Sequence, residues 1–304
     1  MAHRGLGPKN ITLFGMSERV PIESNLRLHL ERLSIPRHAE ANWTGHETAA
    51  RYIRSSLESF GLQVTPHTFW LEGSSYHNWV AQTPDSSPDA PLLVIGAHYD
   101  TVPDCPGADD NASGVAVMLE AARQYMDGNR RGGAVQFVAF DLEEFDLDGS
   151  KAYAALLKQS RQPVYGMVSL EMVGFTRPEP GTQRYPWGLA PFYVNRGDFI
   201  ALIGSSNSLG FFWKVRRAFR QVKELRSQGL LVPGRGTLIP DIRRSDHASF
   251  WDQGFPATLI TDTSFFRNPN YHTARDTMDT LDIPFMAGVV KAVGRLIDRY
   301  ITDL

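Results

Sequence analysis

Residues 92–101, LLVIGAHYDT, hold the pattern from which the fold can be predicted. A continuous apolar run, LLVIGA at 92–97, is followed at once by polar residues that include His98 and Asp100. Continuous apolar runs of this length are typical of strands covered on both faces, because a half-exposed strand alternates apolar and polar side chains. The stretch therefore predicts a buried strand that carries His98 and Asp100 at its carboxyl end.

Three more short apolar runs occur along the chain, and predicted helices lie between them. The runs are VQFVAF at 135–140, MVSLEMV at 167–173 and ATLITD at 257–262. Apolar residues recur at helical spacing in three longer segments, at 46–61, 113–127 and 284–304. Strands that alternate with helices predict a layered α/β fold.

The length and composition are those of a globular protein with a sizeable core. The chain has 304 residues, of which 42% are apolar and 21% charged. Its 31 basic and 33 acidic residues leave a net charge of −2, which indicates neither a nucleic-acid nor a membrane partner. We expect one domain over 1–304, with an N-terminal extension and helix at 1–40 and a loop-and-helix insertion at 175–245. The basic run at 216–226 is expected to be a solvated helix face.

Cysteine content and the N-terminal sequence bear on the cellular compartment. Cys105 is the only cysteine, so no intramolecular disulfide can form, which favours a reducing environment. The first 15 residues lack the apolar core of a signal peptide, and no apolar run approaches the length of a membrane span. We therefore expect a cytoplasmic protein. The sequence gives no indication of its oligomeric state.

Acids and histidines cluster where the predicted strands end. They also occur in the loop ADDN at 108–111 and in the segment that follows the last apolar run. The residues are, in chain order, His98, Asp100, Asp109, Asp110, Glu143, Glu144, Glu171, Tyr271 and His272. Taken singly, each has an ordinary explanation, such as a solvated Glu pair or an Asx-turn. Because ligands bind beyond the carboxyl ends of strands in α/β sheets, we expect the set to converge on one site.

A converging set of carboxylates and imidazoles predicts a metal centre. Buried carboxylates repel one another unless a cation compensates their charge. Histidine and carboxylate ligands without cysteine suit Zn²⁺, with Co²⁺ or Mn²⁺ as alternatives. Five candidate ligands exceed the needs of one tetrahedral zinc with an open position, and they fit two metals that share a bridging carboxylate.

The spacing of two residue pairs predicts how their roles divide. Consecutive side chains in extended backbone point apart, so one of Glu143 and Glu144 can bind metal while the other faces water and substrate. His98 and Asp100 are two residues apart and share a face of extended backbone. Asp100 can therefore hold the second imidazole nitrogen of His98 and fix its tautomer.

Six motifs, in order along the chain, resemble those of the M28-type zinc aminopeptidases. They are GAHYDTV (96–102), PGADDNASGVA (106–116), FDLEE (140–144), SLEMVG (169–174), SDHASFWDQGFPA (245–257) and YHTARDTMDTLD (271–282). The resemblance runs from about residue 40 to the C-terminus. It implies a single metallopeptidase domain, built as a three-layer α/β/α sandwich around a mixed, mostly parallel sheet, with two Zn²⁺ ions.

The resemblance also implies a role for each matching residue. The metal ligands would be His98, Asp110, Glu144, Glu171 and His272, with Asp110 as the bridge. Glu143 matches the general base, and Tyr271 matches a donor to the oxyanion of the tetrahedral intermediate. Asp109 and Asp276 match supporting residues. The family often has a cis peptide after the bridging acid, which implies a cis Asp110–Asn111 bond.

Glu171 departs from the family pattern, and two nearby residues have open roles. The family usually has Asp where this chain has Glu171, and the extra methylene group extends the reach by roughly 1.5 Å. This difference can change the metal spacing, the occupancy or the preferred ion. His247 can be structural or line the substrate pocket, and Arg267 can support its loop or meet the substrate.

The implied reaction is metal-dependent hydrolysis of the N-terminal peptide bond of a peptide or aminoacyl amide. A metal-bridging water would attack the carbonyl, with Glu143 as the base that activates it and free acids holding the substrate ammonium. The insertion at 175–245 would shape the substrate pocket. A glutaminyl cyclase-like reaction is an alternative, although Tyr271 stands where a cyclase would have tryptophan. Deacylation of a small amide uses the same chemistry, and a catalytically inactive binding protein would be expected to lack a ligand or the base.

Overall fold

The computed structural model describes residues 20–84, 89–128, 133–186 and 188–303. The helices in these ranges are α1 (Ile22–Leu33), α2 (Trp43–Ser59), α3 (Gly114–Asp127), α4 (Asp148–Gln159), α5 (Leu209–Phe219), α6 (His247–Asp252) and α7 (Ile283–Asp303). The strands are β1 (Gln63–Leu71), β2 (Ser74–Gln82), β3 (Leu92–His98), β4 (Ala134–Phe140), β5 (Val164–Glu171), β6 (Ile200–Ser205), β7 (Ser227–Val232) and β8 (Ala257–Thr261). The first 19 residues of the predicted extension at 1–40 lie outside the described residues, and α1 lies within the rest.

These strands form one mixed eight-stranded sheet in the order β1-β2-β4-β3-β5-β8-β6-β7. The central strands β4, β3, β5 and β8 are parallel to one another, and β6 and β7 are also a parallel pair. The pairings β1–β2, β2–β4 and β6–β8 are antiparallel. The predicted α/β class is confirmed.

Helices cover both faces of the sheet. Leu93 and Ile95 of β3 pack in a core with residues of α1, α2, α3, α5 and α7. Val94, between them, packs in a second core with residues of α4 and α6 on the opposite face. Alternate side chains of a strand point to opposite faces, so a continuous apolar run is what a strand between two helical layers requires. The predicted three-layer α/β/α arrangement is confirmed.

Parallel pairing of the four central strands brings their carboxyl ends to one edge of the sheet. His98 is the last residue of β3 and Glu171 the last residue of β5. Glu143 and Glu144 follow β4 after two residues, and the chain that leaves β8 leads to His272. The topology therefore gathers the polar residues that follow the apolar runs.

The segment 175–245 adds two strands to the sheet as well as a helix. Strand β6 pairs with β8 and strand β7 pairs with β6, so both continue the sheet beyond its parallel centre. Within the basic run at 216–226, only the first four residues belong to a helix, because α5 ends at Phe219. The prediction of a loop-and-helix insertion is therefore incomplete. In the described part of the chain, every helix is too short or too polar to cross a membrane.

Candidate metal centre

His98 faces two carboxylates at the carboxyl edge of the sheet. Its Nε2 atom lies 3.3 Å from Asp110 Oδ1 and 3.3 Å from Glu171 Oε2. The His98 side chain is fully buried. Its Nε2 atom has no hydrogen-bond partner among the described residues.

His272 has a matching arrangement on the other side of Asp110. Its Nε2 atom lies 3.1 Å from Asp110 Oδ2 and 3.2 Å from Glu144 Oε1. In the part of the chain that the structure describes, this nitrogen also lacks a hydrogen-bond partner. Asp110 thus directs one carboxylate oxygen to each imidazole, which is the placement required of a bridging ligand.

The distances fit two zinc ions. A tetrahedral Zn²⁺ binds nitrogen and oxygen at about 2.0–2.2 Å, which places neighbouring ligand atoms roughly 3.3 Å apart. The ligand-type atoms form two groups, His98–Asp110–Glu171 and Asp110–Glu144–His272, each with its atoms within 4.8 Å of one another. Unpartnered imidazole nitrogens and converging carboxylate oxygens are the donor set that this ion needs. Each group supplies three protein ligands, as in catalytic zinc sites that keep a position open.

The electrostatics of the two groups also favour a cation. Burial alone would lower the pKa of His272, but the carboxylates of Asp110 and Glu144 outweigh burial and raise it to about 10. Burial and the Asp110 carboxylate raise the pKa of Glu144 to about 7. These carboxylates thus draw a proton onto the imidazole. A metal ion would replace that proton, because binding needs the neutral ring.

Glu143 lies beside the two groups but belongs to neither. Its Oε2 atom is 3.9 Å from His98 Nε2, and its side chain is 8% exposed. Burial raises the pKa of Glu143 well above its usual range; His98 opposes this shift, and the carboxylates of Glu171 and Glu144 add to it. Glu143 is therefore a free carboxyl group with a raised proton affinity at the edge of the centre, and Glu144 points to the other side, towards His272.

Asp100 connects His98 to the segment after β4. Its Oδ1 atom lies 3.4 Å from His98 Nδ1 and accepts a hydrogen bond of 3.1 Å from the Glu143 backbone N–H. Its Oδ2 atom accepts a bond of 3.1 Å from the Glu144 N–H. This one carboxylate thus lies against the imidazole ring and holds the backbone of both glutamates.

Asp109 and Asp276 support the loop that carries Asp110. Asp109 accepts hydrogen bonds from the Gly174 N–H and from Asn268 Nδ2, at 3.0 and 2.7 Å. The two Asp276 oxygens accept from the backbone N–H groups of Asp109 and Asp110, at 2.9 and 3.0 Å. The Asp110–Asn111 peptide bond is cis, as the resemblance implied.

Two residues that contact the candidate centre were not foreseen from the sequence. Ser245 Oγ donates a hydrogen bond of 2.9 Å to Glu171 Oε2. Arg244 Nη2 donates to the Tyr271 hydroxyl oxygen at 3.3 Å, and the Tyr271 ring stacks on His272 with centroids 3.7 Å apart. The sequence feature that could have indicated them is the motif at 245–257, because Ser245 is its first residue and Arg244 directly precedes it.

The two residues with open roles have structural contacts. His247 is buried and packs its ring edge-on against Trp251, with centroids 4.5 Å apart. Arg267 is buried, donates to Gln183 Oε1 at 2.8 Å and lies over the Phe199 ring. Both contacts favour the structural alternative for these residues.

An apolar cleft opens beside the centre. Asp110, Glu143, Glu144 and Glu171 lie at its polar end, together with Tyr271. Its apolar wall includes Leu189, Tyr193, Phe199, Ile203, Leu230, Ile242, Leu259 and Phe265. Much of that wall comes from the segment 175–245, including β6 and β7.

Comparison of the sequence with known proteins identifies a family and relatives. Residues 78–297 match the model of peptidase family M28. The chain is 38% identical to YfbL of Escherichia coli K12, an uncharacterised protein, over 90% of this chain and 85% of YfbL. It is 27% identical to leucine aminopeptidase 1 of Arthroderma otae, over 87% of this chain and 66% of that protein.

Solved structures of similar fold include three enzymes. The LapA aminopeptidase of Legionella pneumophila aligns with a TM-score of 0.74 at 21% identity, over 93% of this chain and 72% of LapA. The zinc aminopeptidase BSAP of Bacillus subtilis gives 0.71 at 16% identity, over 92% and 95% of the two chains. The glutaminyl cyclase of Porphyromonas gingivalis gives 0.63 at 21% identity, over 93% and 96%. Identities this low concern the fold alone, but the family model covers most of the sequence, and the chain therefore belongs to peptidase family M28.

Proposed function

We propose that this protein is a zinc-dependent aminopeptidase that hydrolyses the N-terminal peptide bond of peptides. The observation that carries the proposal is the placement of Asp110 between the unpartnered nitrogens of His98 and His272, beside the free carboxyl group of Glu143. Glu144 and Glu171 complete the two ligand groups. The membership of family M28 supports a peptidase, and relatives named aminopeptidases support the exopeptidase reaction.

The ligand residues have the donor atoms for two zinc ions. Such a pair, held by His98, Asp110, Glu144, Glu171 and His272, would acidify a water molecule and polarise the scissile carbonyl. Glu143 takes the proton from the attacking water and passes it to the leaving amine. Glu143 belongs to neither ligand group, so its carboxylate is available to accept a proton from water and to pass it to the amine.

We infer that Tyr271 stabilises the oxyanion. Arg244 donates a hydrogen bond to the Tyr271 oxygen, so the proton of the Tyr271 hydroxyl remains available to a second acceptor. The ring lies against His272, which fixes it next to one of the two ligand groups. A hydroxyl donor at this position would bind the charge that develops on the carbonyl oxygen.

The cleft supports a substrate with a free amine and a large apolar first side chain. Carboxyl groups at the polar end, among them Glu143 and Glu171, can hold the substrate ammonium group. Phe199, Leu230 and Leu259 line the apolar wall, where burial of a leucine- or phenylalanine-sized side chain contributes about 1.5–3 kcal/mol.

Initial rates on a panel of aminoacyl-p-nitroanilides test this proposal. N-acetylated substrates serve as the control for the free amine, and chelation followed by zinc addition tests the metal. We expect zinc-dependent release that needs a free amine and is faster for leucine and phenylalanine than for glycine or glutamate. Release of p-nitroaniline from acetylated substrates would indicate an amidase or endopeptidase that needs no free amine. Cyclisation of N-terminal glutamine without hydrolysis would indicate a cyclase; either result would contradict the proposal.

A further inference from the structure

Arg37, in the connection between α1 and α2, is a fully buried cation. Among the described residues, no carboxylate lies within salt-bridge distance of its guanidinium group. Burial lowers the pKa of Arg37, and the surrounding charges of Asp110, Asp276 and Asp100 oppose that shift. Arg37 also precedes residues 78–297, so the match to the family model does not cover it.

Three backbone carbonyls next to the candidate metal ligands accept hydrogen bonds from this guanidinium. Nε donates to Tyr99 O at 2.6 Å, Nη1 donates to Pro106 O at 2.7 Å, and Nη2 donates to Gly107 O at 2.9 Å. Tyr99 is the residue after His98. Pro106 and Gly107 begin the loop that carries Asp110.

The same side chain is fixed to its own segment. Nη1 also donates to Leu33 O at 2.7 Å and to Ile35 O at 3.2 Å, and the Arg37 backbone N–H donates to Thr101 Oγ1 at 3.1 Å. The guanidinium thus joins the end of α1, the segment after β3 and the Asp110 loop. Its planar arrangement of donors allows one group to reach all three, which a lysine ammonium cannot reproduce.

The spacing of His98 and Asp110 depends on the two segments that Arg37 joins. The Asp276 carboxylate holds the loop at the N–H groups of Asp109 and Asp110, and Arg37 holds it at the preceding carbonyls. Without the guanidinium, the carbonyls of Tyr99 and Pro106 would lose this donor, and Gly107 O would keep the bond from the Ala112 N–H. We expect the loop to shift to satisfy the carbonyls that lose their donor.

We propose that Arg37 is a positioning residue of the metal centre, which sets the separation of His98 and Asp110 and thereby the affinity of the zinc ion that these ligands would share. The inference rests on the proposed function. It makes the N-terminal connection part of the metal centre, although no atom of Arg37 needs to touch a metal or the substrate.

Zinc retention in an Arg37→Met variant tests the inference. Arg32→Met is a matched control, because Arg32 is an exposed residue in the last turn of α1. Zinc content after dialysis and the rate of zinc transfer to a chromophoric chelator are measured well below the unfolding temperature of each protein. Loss of an outer hydrogen-bonding partner typically lowers metal affinity about 10–100-fold, and we expect R37M to fall in this range and R32M to match the wild type.

A purely structural role for Arg37 predicts a different result. A folded R37M that retains zinc as tightly as the wild type, with only a lower unfolding temperature, would overturn the inference. Should R37M not fold, R37K decides: weaker zinc retention in the folded protein supports the inference, and unchanged retention overturns it. A wild-type protein that binds no zinc would overturn the proposed function itself, whereas a zinc-binding wild type with unaffected variants would overturn only the role of Arg37.

Discussion

Asp110 is the residue on which the candidate metal centre depends, because each of its carboxylate oxygens faces a different imidazole. Its position is set by the turn before it and by a carboxylate from a distant segment of the chain. Gly107 has a φ of +56°, and the Asp276 carboxylate accepts hydrogen bonds from the backbone N–H groups of Asp109 and Asp110. Substitutions of single residues can therefore distinguish side chains that would bind the metals from side chains that would act on the substrate.

A Gly107→Ala substitution should disrupt the Asp110 loop. A Cβ atom at this position would lie 2.2 Å from Asp110 O and 2.4 Å from Thr101 Cγ2, in a backbone conformation that disfavours side chains. The left-handed conformation alone costs about 1–3 kcal/mol, and the contacts add to it. Thermal unfolding and zinc content should both fall. Gly210→Ala is the control, because a Cβ there meets nothing within 4 Å; equal behaviour of the two variants would contradict this prediction.

A Tyr271→Phe substitution should lower kcat while leaving zinc content unchanged. The phenyl ring keeps the stacking on His272 and removes only the hydroxyl group. Loss of one oxyanion donor typically lowers kcat by roughly 10²–10³. Steady-state rates on leucine p-nitroanilide measure the effect. A raised KM with an unchanged kcat would show instead that Tyr271 binds substrate and transition state equally.

At the scale of elements, the parallel strands β4, β3, β5 and β8 create the site by ending at one edge, and the helices hold them in place. The contact between α1 and α2 provides one element-level test. His29 of α1 is buried, and its Nδ1 atom lies 2.7 Å from the Tyr52 hydroxyl oxygen on α2. Burial lowers the pKa of His29 to about 4, and Glu120 and Arg123 act on it from α3 with opposite signs.

The stability that buried, neutral His29 contributes to the folded protein should decrease in acid. The folded-state pKa of about 4 lies below the unfolded value of 6.5, so the unfolded chain binds more protons between these values. The contribution of neutral His29 to the free energy of unfolding is fully present above pH 6.5. It declines by up to about 3 kcal/mol as the pH falls towards 4. Urea unfolding of the wild type and of His29→Gln, at pH 7 and pH 4.5, measures the difference. An equal loss of stability in both proteins would contradict the prediction.

The four strands that could be predicted from the sequence are the central ones, and the strands that were missed lie towards the two edges of the sheet. All seven residues of β3 are buried, which produces an unmistakable apolar run. In β7, five of six residues are only partly buried, so SQGLLV has no continuous apolar pattern. Strand β6, IALIGS, is mostly buried and apolar, so its sequence does favour a strand, and the prediction of a loop-and-helix insertion at 175–245 is wrong at this point.

The site residues also divide into those that could be predicted from the sequence and those that could not. His98 and Glu171 could be predicted because each is the last residue of an apolar strand, and parallel strands end at one edge of the sheet. Arg37 and Ser245 act through hydrogen bonds to residues more than 60 positions away in the chain. Contacts over such a separation leave no pattern in the local sequence, so these residues could not be predicted. Arg37 also binds carbonyl groups, which every residue has, so the types of its partners carry no signal.

For the whole molecule, metal removal should reduce stability. Without a metal ion, the carboxylates of Asp110, Glu144 and Glu171 converge with only the His98 and His272 imidazoles beside them to offset their charge. Zinc at 100 times its dissociation constant stabilises the folded state by about 2.7 kcal/mol per site. Differential scanning calorimetry before and after chelation should show a lower Tm that zinc restores and magnesium does not. A Tm that is indifferent to chelation and to added zinc would contradict a metal centre.

The most direct measurement is the zinc content and the kcat of Glu143→Gln, compared with Glu144→Gln. Glu143 belongs to neither ligand group, whereas Glu144 Oε1 lies 3.2 Å from His272 Nε2. We predict that E143Q keeps two zinc ions per chain and loses kcat by about 10²–10⁴, the usual contribution of a general base. E144Q should lose zinc from the His272 group. An E143Q protein that turns over at the wild-type rate, or that loses its zinc, would contradict the assignment of Glu143 as the base of a two-zinc peptidase.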